Sequence, residues 1–173
     1  MCKRLAVVLA LCLSAGQELT YGEGSFIARV GQSGEFLEME DQRTGQVVKD
    51  YLPLHRAGNI RYFAAGVGVE ERRAEYPPFS LKLVFTAGGK PYLTGVDVTI
   101  HPQVGGAEIV IPREQIEAPW LFIDLPSGAY DISAMYGDQK QTLKGIKVVA
   151  GQQRTAQLQW AADIGSMVKV PNE

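Results

Sequence analysis

From Phe79 onward the chain alternates between apolar and polar residues with a period of two. Phe79, Leu81, Leu83 and Phe85 alternate with Ser80, Lys82, Val84 and Thr86. Val96, Val98 and Ile100 alternate with Asp97, Thr99 and His101; Tyr130, Ile132, Ala134 and Tyr136 with Asp131, Ser133 and Met135; Ala156, Leu158 and Trp160 with Thr155, Gln157 and Gln159. Successive side chains of a strand point to opposite faces, so each run predicts a strand with one buried and one wet face. Apolar runs at 107–111, 120–125 and 139–149 fill the gaps. Turn residues separate all of them: Gly88-Gly89, Gly105-Gly106, Pro126-Ser127-Gly128, Gly137-Asp138 and Gly151. Seven short strands at this spacing predict an all-β fold, an antiparallel sandwich over residues 79–160.

The pattern is weaker upstream. Residues 17–68 read as an irregular N-terminal extension with a few short strands, at 26–30, 35–39 and 60–65. Turn residues at 31–34 and 43–45 favour long loops there over a second core. Residues 69–76 are helix formers, with Glu70 and Glu71 in the first turn, where the helix dipole favours negative charge. Pro77 and Pro78 stop them, because proline lacks the donor and restricts the residue before it. A short helix of about two turns is therefore expected over 69–76. Residues 161–173 read as a flexible tail.

The first sixteen residues have a different character. Lys3 and Arg4 precede an apolar run from Leu5 to Leu13 and a small-residue exit, Ser14-Ala15-Gly16. That layout predicts a secretory signal peptide over 1–16, with cleavage after Gly16. The run is too short for a membrane span, which needs roughly 20 residues, so no permanent span is expected. A lipoprotein signal at Cys12 is the competing reading, disfavoured because Leu11 stands where that processing wants a small residue. A buried N-terminal helix lacks the necessary periodicity. Both cysteines, Cys2 and Cys12, fall in this segment, so the exported chain would form no disulfide. Its expected compartment is the periplasm, and about 157 of the 173 residues remain to build a core. Losing Lys3 and Arg4 takes the formal charge from −2 to −4, which argues against a nucleic-acid partner. The 46% hydrophobic and 21% charged composition is that of a globular chain, and 19 glycines favour turns.

The segment Leu125-Pro126-Ser127-Gly128-Ala129-Tyr130-Asp131-Ile132 resembles the Leu-Pro-x-Gly-x-Tyr-x-Ile signature of carboxypeptidase regulatory-like domains. These are transthyretin-like, or prealbumin-like, seven-stranded sandwiches. The likeness runs from Phe79 to Trp160, about half the chain. An opening strand, a Gly-Lys-Pro turn and Val96-Asp97-Val98-Thr99-Ile100 precede the signature. With 65–71 ahead of it, the whole chain is similar to a group of small secreted proteobacterial proteins. The resemblance implies an accessory module without catalysis. Physically, Pro126 presets φ for a turn, Gly128 permits φ above zero at its end, and Tyr130 enters the buried face with its hydroxyl within reach of backbone, as in a tyrosine corner.

Reactive constellations are sparse. His55 is placed in a loop and His101 on a polar strand face. Both read as exposed and unpaired, with no spacing that makes a metal site. No serine sits in a Gly-x-Ser-x-Gly elbow, although a spatial triad is not excluded by spacing. Gly66-Val67-Gly68 lacks a third glycine and a following lysine, so it reads as a helix-capping turn rather than a phosphate loop. Glu35, Glu38, Glu40 and Asp41 lack the spacing of a calcium loop and read as a charged edge strand. Hydroxyisourate hydrolases, catalytic relatives of transthyretin, carry a C-terminal Tyr-Arg-Gly-Ser that the ending Val168–Glu173 lacks. Isopeptide cross-linking is set aside because Lys82 alternates outward. No catalytic, cofactor or metal residues are assigned. The expected role is a non-catalytic exported module that binds a protein or cell-envelope component. The alternatives are a carrier for a small apolar ligand or metal ion, and a catalytic transthyretin relative.

Overall fold

The computed structural model describes residues 26–88 and 93–161; the expected signal segment 1–16 and nearly all of the expected tail lie outside them. The chain is all-β. Among the described residues its strands are β1 (Phe26–Val30), β2 (Phe36–Asp41), β3 (Val47–Pro53), β4 (His55–Ala57), β5 (Ile60–Ala65), β6 (Ala74–Glu75), β7 (Leu81–Ala87), β8 (Asp97–Pro102), β9 (Ile109–Ile111), β10 (Trp120–Ile123), β11 (Gly128–Tyr136), β12 (Gln139–Val148) and β13 (Arg154–Trp160). One helix, α1 (Val69–Arg73), and a 3-10 turn at Arg113–Gln115 complete it. Three sheets form, ordered β3-β2-β1-β6, β13-β7-β10-β5-β4 and β12-β11-β8-β9.

The middle sheet is covered on one face and, over β5 and β10, on the other as well. One face meets the β12-β11-β8-β9 sheet in a core that includes Leu81, Leu83, Phe85, Leu121, Ile123, Ile132, Leu158 and Trp160. The other meets the β3-β2-β1-β6 sheet in a second core of Ala28, Leu37, Met39, Leu52, Leu54, Phe63, Ala65, Phe79 and Phe122. Double burial explains why β5 and β10 read as near-continuous apolar runs while β11 alternates cleanly. Along β10, Leu121 and Ile123 enter the first core and Phe122 the second.

Four sequence expectations are corrected here. Residues 17–68 form the strands expected at 26–30, 35–39 and 60–65, but among those described they also form β3 and β4 and supply most of a second core where long loops were expected. The misread followed from Gly31–Gly34 and Arg43–Gly45, which are tight hairpin turns: Gly34 N–H donates to Gly31 O (3.0 Å) and Gly45 N–H to Asp41 O (2.8 Å). Strands β4 and β5 also extend the middle sheet, so that sheet does not begin at Phe79. The strands are not all antiparallel either: β13 runs parallel to β7, from Arg154 opposite Leu81 to Trp160 opposite Ala87. Residues 149–153 carry the chain from one layer to the other, and such a crossing frees it from the reversal a hairpin imposes. Finally, α1 stops at Arg73, not at residue 76. Ala74 is extended (φ −72°, ψ 142°) and pairs with Phe26 on the open edge of β1. That register lets Tyr76 tilt onto Phe122, ring centroids 4.7 Å apart, and donate its hydroxyl to Glu71 O at 2.8 Å.

Buried polar groups are satisfied. Ser80, on the nominally wet side of its run, is fully buried. Its hydroxyl donates to Leu125 O and accepts from Leu125 N–H, both at 2.8 Å. Among the described residues no buried side-chain N or O lacks a partner, as a stable interior requires.

Candidate functional site: a cleft at the signature turn

A cleft of about 760 Å³ opens at one end of the first core, and three loops wall it. The first is the β4–β5 hairpin, where Gly58 takes φ +61°. This is the left-handed region that tight hairpins demand. The second is the β8–β9 connection, Gln103 to Glu108. Its Gly106 has φ +113°, and a Cβ there would come 3.2 Å from Pro102 Cγ. Gln103 N–H donates to Ala129 O at 2.9 Å and ties this loop to the third wall, the signature turn 126–130.

Tyr130 lines the cleft from the signature strand. Its ring is buried and its hydroxyl donates to Pro126 O at 2.9 Å. Burial pushes the phenol above its ordinary pKa, so it stays neutral as a donor. Ser127 Oγ accepts from Ala150 N–H at 2.9 Å and pins the turn to the β12–β13 crossing. The expectation for Gly128 is corrected: its φ is not in the left-handed region. What makes it glycine is space, because a Cβ would lie 3.3–3.4 Å from Cε2, Cζ and the hydroxyl oxygen of Tyr130.

The next residue, Asp131, organises the outer face. Its Oδ1 accepts from Gly145 N–H (2.8 Å) and Gln103 Nε2 (2.9 Å). Gly145 sits at φ +65° in a bulge where the β11–β12 register shifts, the extra residue being left without a ladder partner. The Gly145 N–H, ahead of the Gln103 amide, holds the Asp131 carboxyl below its usual range.

The histidines are not as expected. His101 is paired, its Nδ1 3.1 Å from Glu108 Oε2. His55 lies in β4, not a loop, and stacks on Tyr62 with centroids 5.6 Å apart. Tyr62 in turn donates its hydroxyl to Gln115 Oε1. His55 lines a smaller cleft of about 260 Å³ together with Glu71, Glu114 and Glu117. Glu71 is committed to the turn before α1, accepting from Gly66 N–H (2.6 Å) and Val67 N–H (3.2 Å). Among the described residues no group of three or more His, Cys, Asp or Glu is arranged to hold a metal ion. In the acidic set of β2, Glu40 faces Arg29 at 3.6 Å, and Asp41 Oδ1 caps its own turn by accepting from Arg43 N–H at 2.9 Å.

Lys82 is turned away from the first core, as its alternation predicts, but not into solvent. Its Nζ lies 3.5 Å from the Trp120 ring centroid and 5.1 Å from that of Phe122. Burial lowers its pKa, while the ring faces favour its cation.

Sequence reasoning missed two walls of the cleft. Gly58-Asn59 is a two-residue hairpin signal, and the Gly105-Gly106 pair marked a turn whose neighbours Val104 and Val110 stay exposed, at 91% and 54%. Among the described residues no helix is long and apolar enough to cross a membrane. No family model, no curated protein and no solved structure matches this chain.

Proposed function

We propose that this chain is a non-catalytic exported module, built on a transthyretin-like, carboxypeptidase regulatory-like sandwich, that binds a protein or cell-envelope component in the periplasm. The observation that carries the reading is the cleft: about 760 Å³, walled by three loops, one of them the signature turn. Loops at the end of a rigid sandwich are where binding surfaces concentrate. Support for the sandwich family comes from the Tyr130–Pro126 bond and from the seven strands between Leu81 and Trp160, three in the middle sheet and four facing them. Support for export comes from Lys3, Arg4 and the apolar run to Leu13.

The test is in vivo cross-linking from the cleft, with a photoreactive residue at Val104, followed by fractionation of the envelope. One recurrent adduct in the periplasmic fraction is the expected result. Cytoplasmic retention, or turnover of ester, amide or ureide substrates by the purified protein, would overturn it. The volume also favours a second reading, a carrier for a small apolar ligand, since such sites span about 300–1,000 Å³. Native mass spectrometry of freshly purified protein separates the two: a co-purified small molecule supports the carrier, and clean apo protein counts against it.

A further inference from the structure

The cleft is continuous with an open sheet edge. Strand β9 pairs with β8 on one side, and among the described residues no strand pairs with its other side. An open edge presents a row of backbone donors and acceptors, and proteins usually guard it with charge. Among the described residues, the other five outer strands follow that practice in their own sequences. β3 carries Lys49 and Asp50, β4 Arg56, β6 Glu75, β12 Lys140, Lys144 and Lys147, and β13 Arg154. Only β9, Ile109-Val110-Ile111, has none.

Charge and shape around β9 narrow the occupant. Of the residues lining the cleft, Glu108 alone carries a charge, and His101 engages it at 3.1 Å. The lining therefore complements an uncharged ligand. Val110 and Val104 stand exposed at the junction of edge and cleft, apolar surface with no covering layer. A second copy of the chain is a poor fit. Stable interfaces bury about 1,200–2,000 Å² in total, more than two paired three-residue strands supply, and strand pairing across a two-fold would leave the cleft unused. A longer extended segment satisfies the β9 backbone and runs on into the cleft.

The geometry points to β9 and the adjoining cleft as the docking site for an extended, uncharged, apolar peptide segment of a partner protein, added as a further strand beside Ile109–Ile111. The inference rests on the binding-module reading and names its partner class. Strand addition draws affinity from main-chain hydrogen bonds and specificity from pockets for alternate side chains.

The probe is an acetylated, amidated hexapeptide of alternating valine and threonine, titrated into the isotope-labelled full chain and followed by amide NMR. Saturable shifts and slowed exchange at Ile109–Ile111 and Val104–Ala107 are expected. Val110→Lys and Val104→Lys should each weaken binding by roughly tenfold or more. Val104→Lys, at a fully solvated position, guards against misfolding as an explanation, and Val149→Lys, exposed and absent from the cleft, should change nothing. Shifts that map to another edge, binding that survives both cleft variants, or no binding at all would overturn the site. So would a concentration-dependent dimer that Val110→Lys abolishes without any peptide effect. An envelope adduct from the photoreactive residue at position 104 that forms normally in the Val110→Lys chain would defeat the β9 site and leave the binding module standing. Peptide binding at β9 with no envelope partner would do the reverse.

Discussion

Gly128 is small for a reason that can be measured. A methyl group at this position meets the Tyr130 ring at 3.3–3.4 Å, and that ring is held by its bond to Pro126 O. Gly128→Ala is therefore expected to destabilise by about 1–3 kcal/mol, the range for overpacking. Tyr130→Phe should cost about 1 kcal/mol for the lost hydrogen bond. The decisive measurement is the cycle with Tyr130→Ala in urea unfolding: the Gly128→Ala penalty should shrink once the ring is gone. An unchanged penalty would mean that backbone conformation, not space, selects glycine here. Asp97 offers a pH readout at the same scale. Its side-chain hydrogen bond to Arg113, reinforced by Arg113 N–H donating to Oδ1 at 3.0 Å, holds its carboxyl below the usual carboxylate range. A depressed carboxyl contributes stability that is present above its unfolded pKa and lost as pH falls through its folded value. Carboxyl-carbon NMR titration should place Asp97 below the ordinary aspartate range, and Arg113→Met should move it back up.

At the scale of elements, α1 is held by its carboxylate more than by its length. Five residues cannot sustain a helix by propensity, and Gly68 gives no side-chain cap. Glu71 reaches back to Gly66 N–H and Val67 N–H instead. Gly66 cannot vary, because at φ +105° a Cβ would stand 2.7 Å from Trp120 Cδ2. Glu71→Ala is expected to cost about 1 kcal/mol, as for a lost cap, and to speed hydrogen exchange at Gly66 and Val67, while Glu70→Ala leaves both unchanged. Elements of this kind separate what sequence can reveal from what it cannot. The alternation in β7, β8, β11 and β13 encodes one buried face directly, and Leu81, Val98, Ile132 and Leu158 are all buried. The other face of β7 is not encoded locally, because Ser80 and Lys82 are kept from water by Leu125 and by the Trp120 and Phe122 rings, all some forty positions downstream. Strand β3 escaped notice since Lys49 and Asp50 interrupt its apolar pattern. The cleft was half legible: the signature named Tyr130, but Val104 and Val110 acquire meaning only when the β8–β9 loop closes against the β4–β5 hairpin.

For the whole molecule, the arrangement of cores decides how it unfolds. Strand β10 gives alternate residues to the two cores, Leu121 and Ile123 to one and Phe122 to the other. Neither can dissolve without exposing a face of the shared sheet. Phe63 and Phe122 stack at 4.7 Å, and Phe79 meets Phe63 edge-on at 5.0 Å. Phe122→Ala should therefore cost about 3–5 kcal/mol. The chain's two tryptophans sit one to each core: Trp160 is part of the first and Trp120 packs against the second. Single-tryptophan chains, Trp120→Phe and Trp160→Phe, thus report the cores separately. Two-state behaviour requires coincident transitions from different probes. The urea midpoints of the two tryptophans are expected to coincide within each background, and to fall together when Phe122→Ala is added. If the Trp120 signal melted first while Trp160 kept its native midpoint, β1 to β3 would be a separable cover on the sandwich, and the shared middle sheet would not couple the layers.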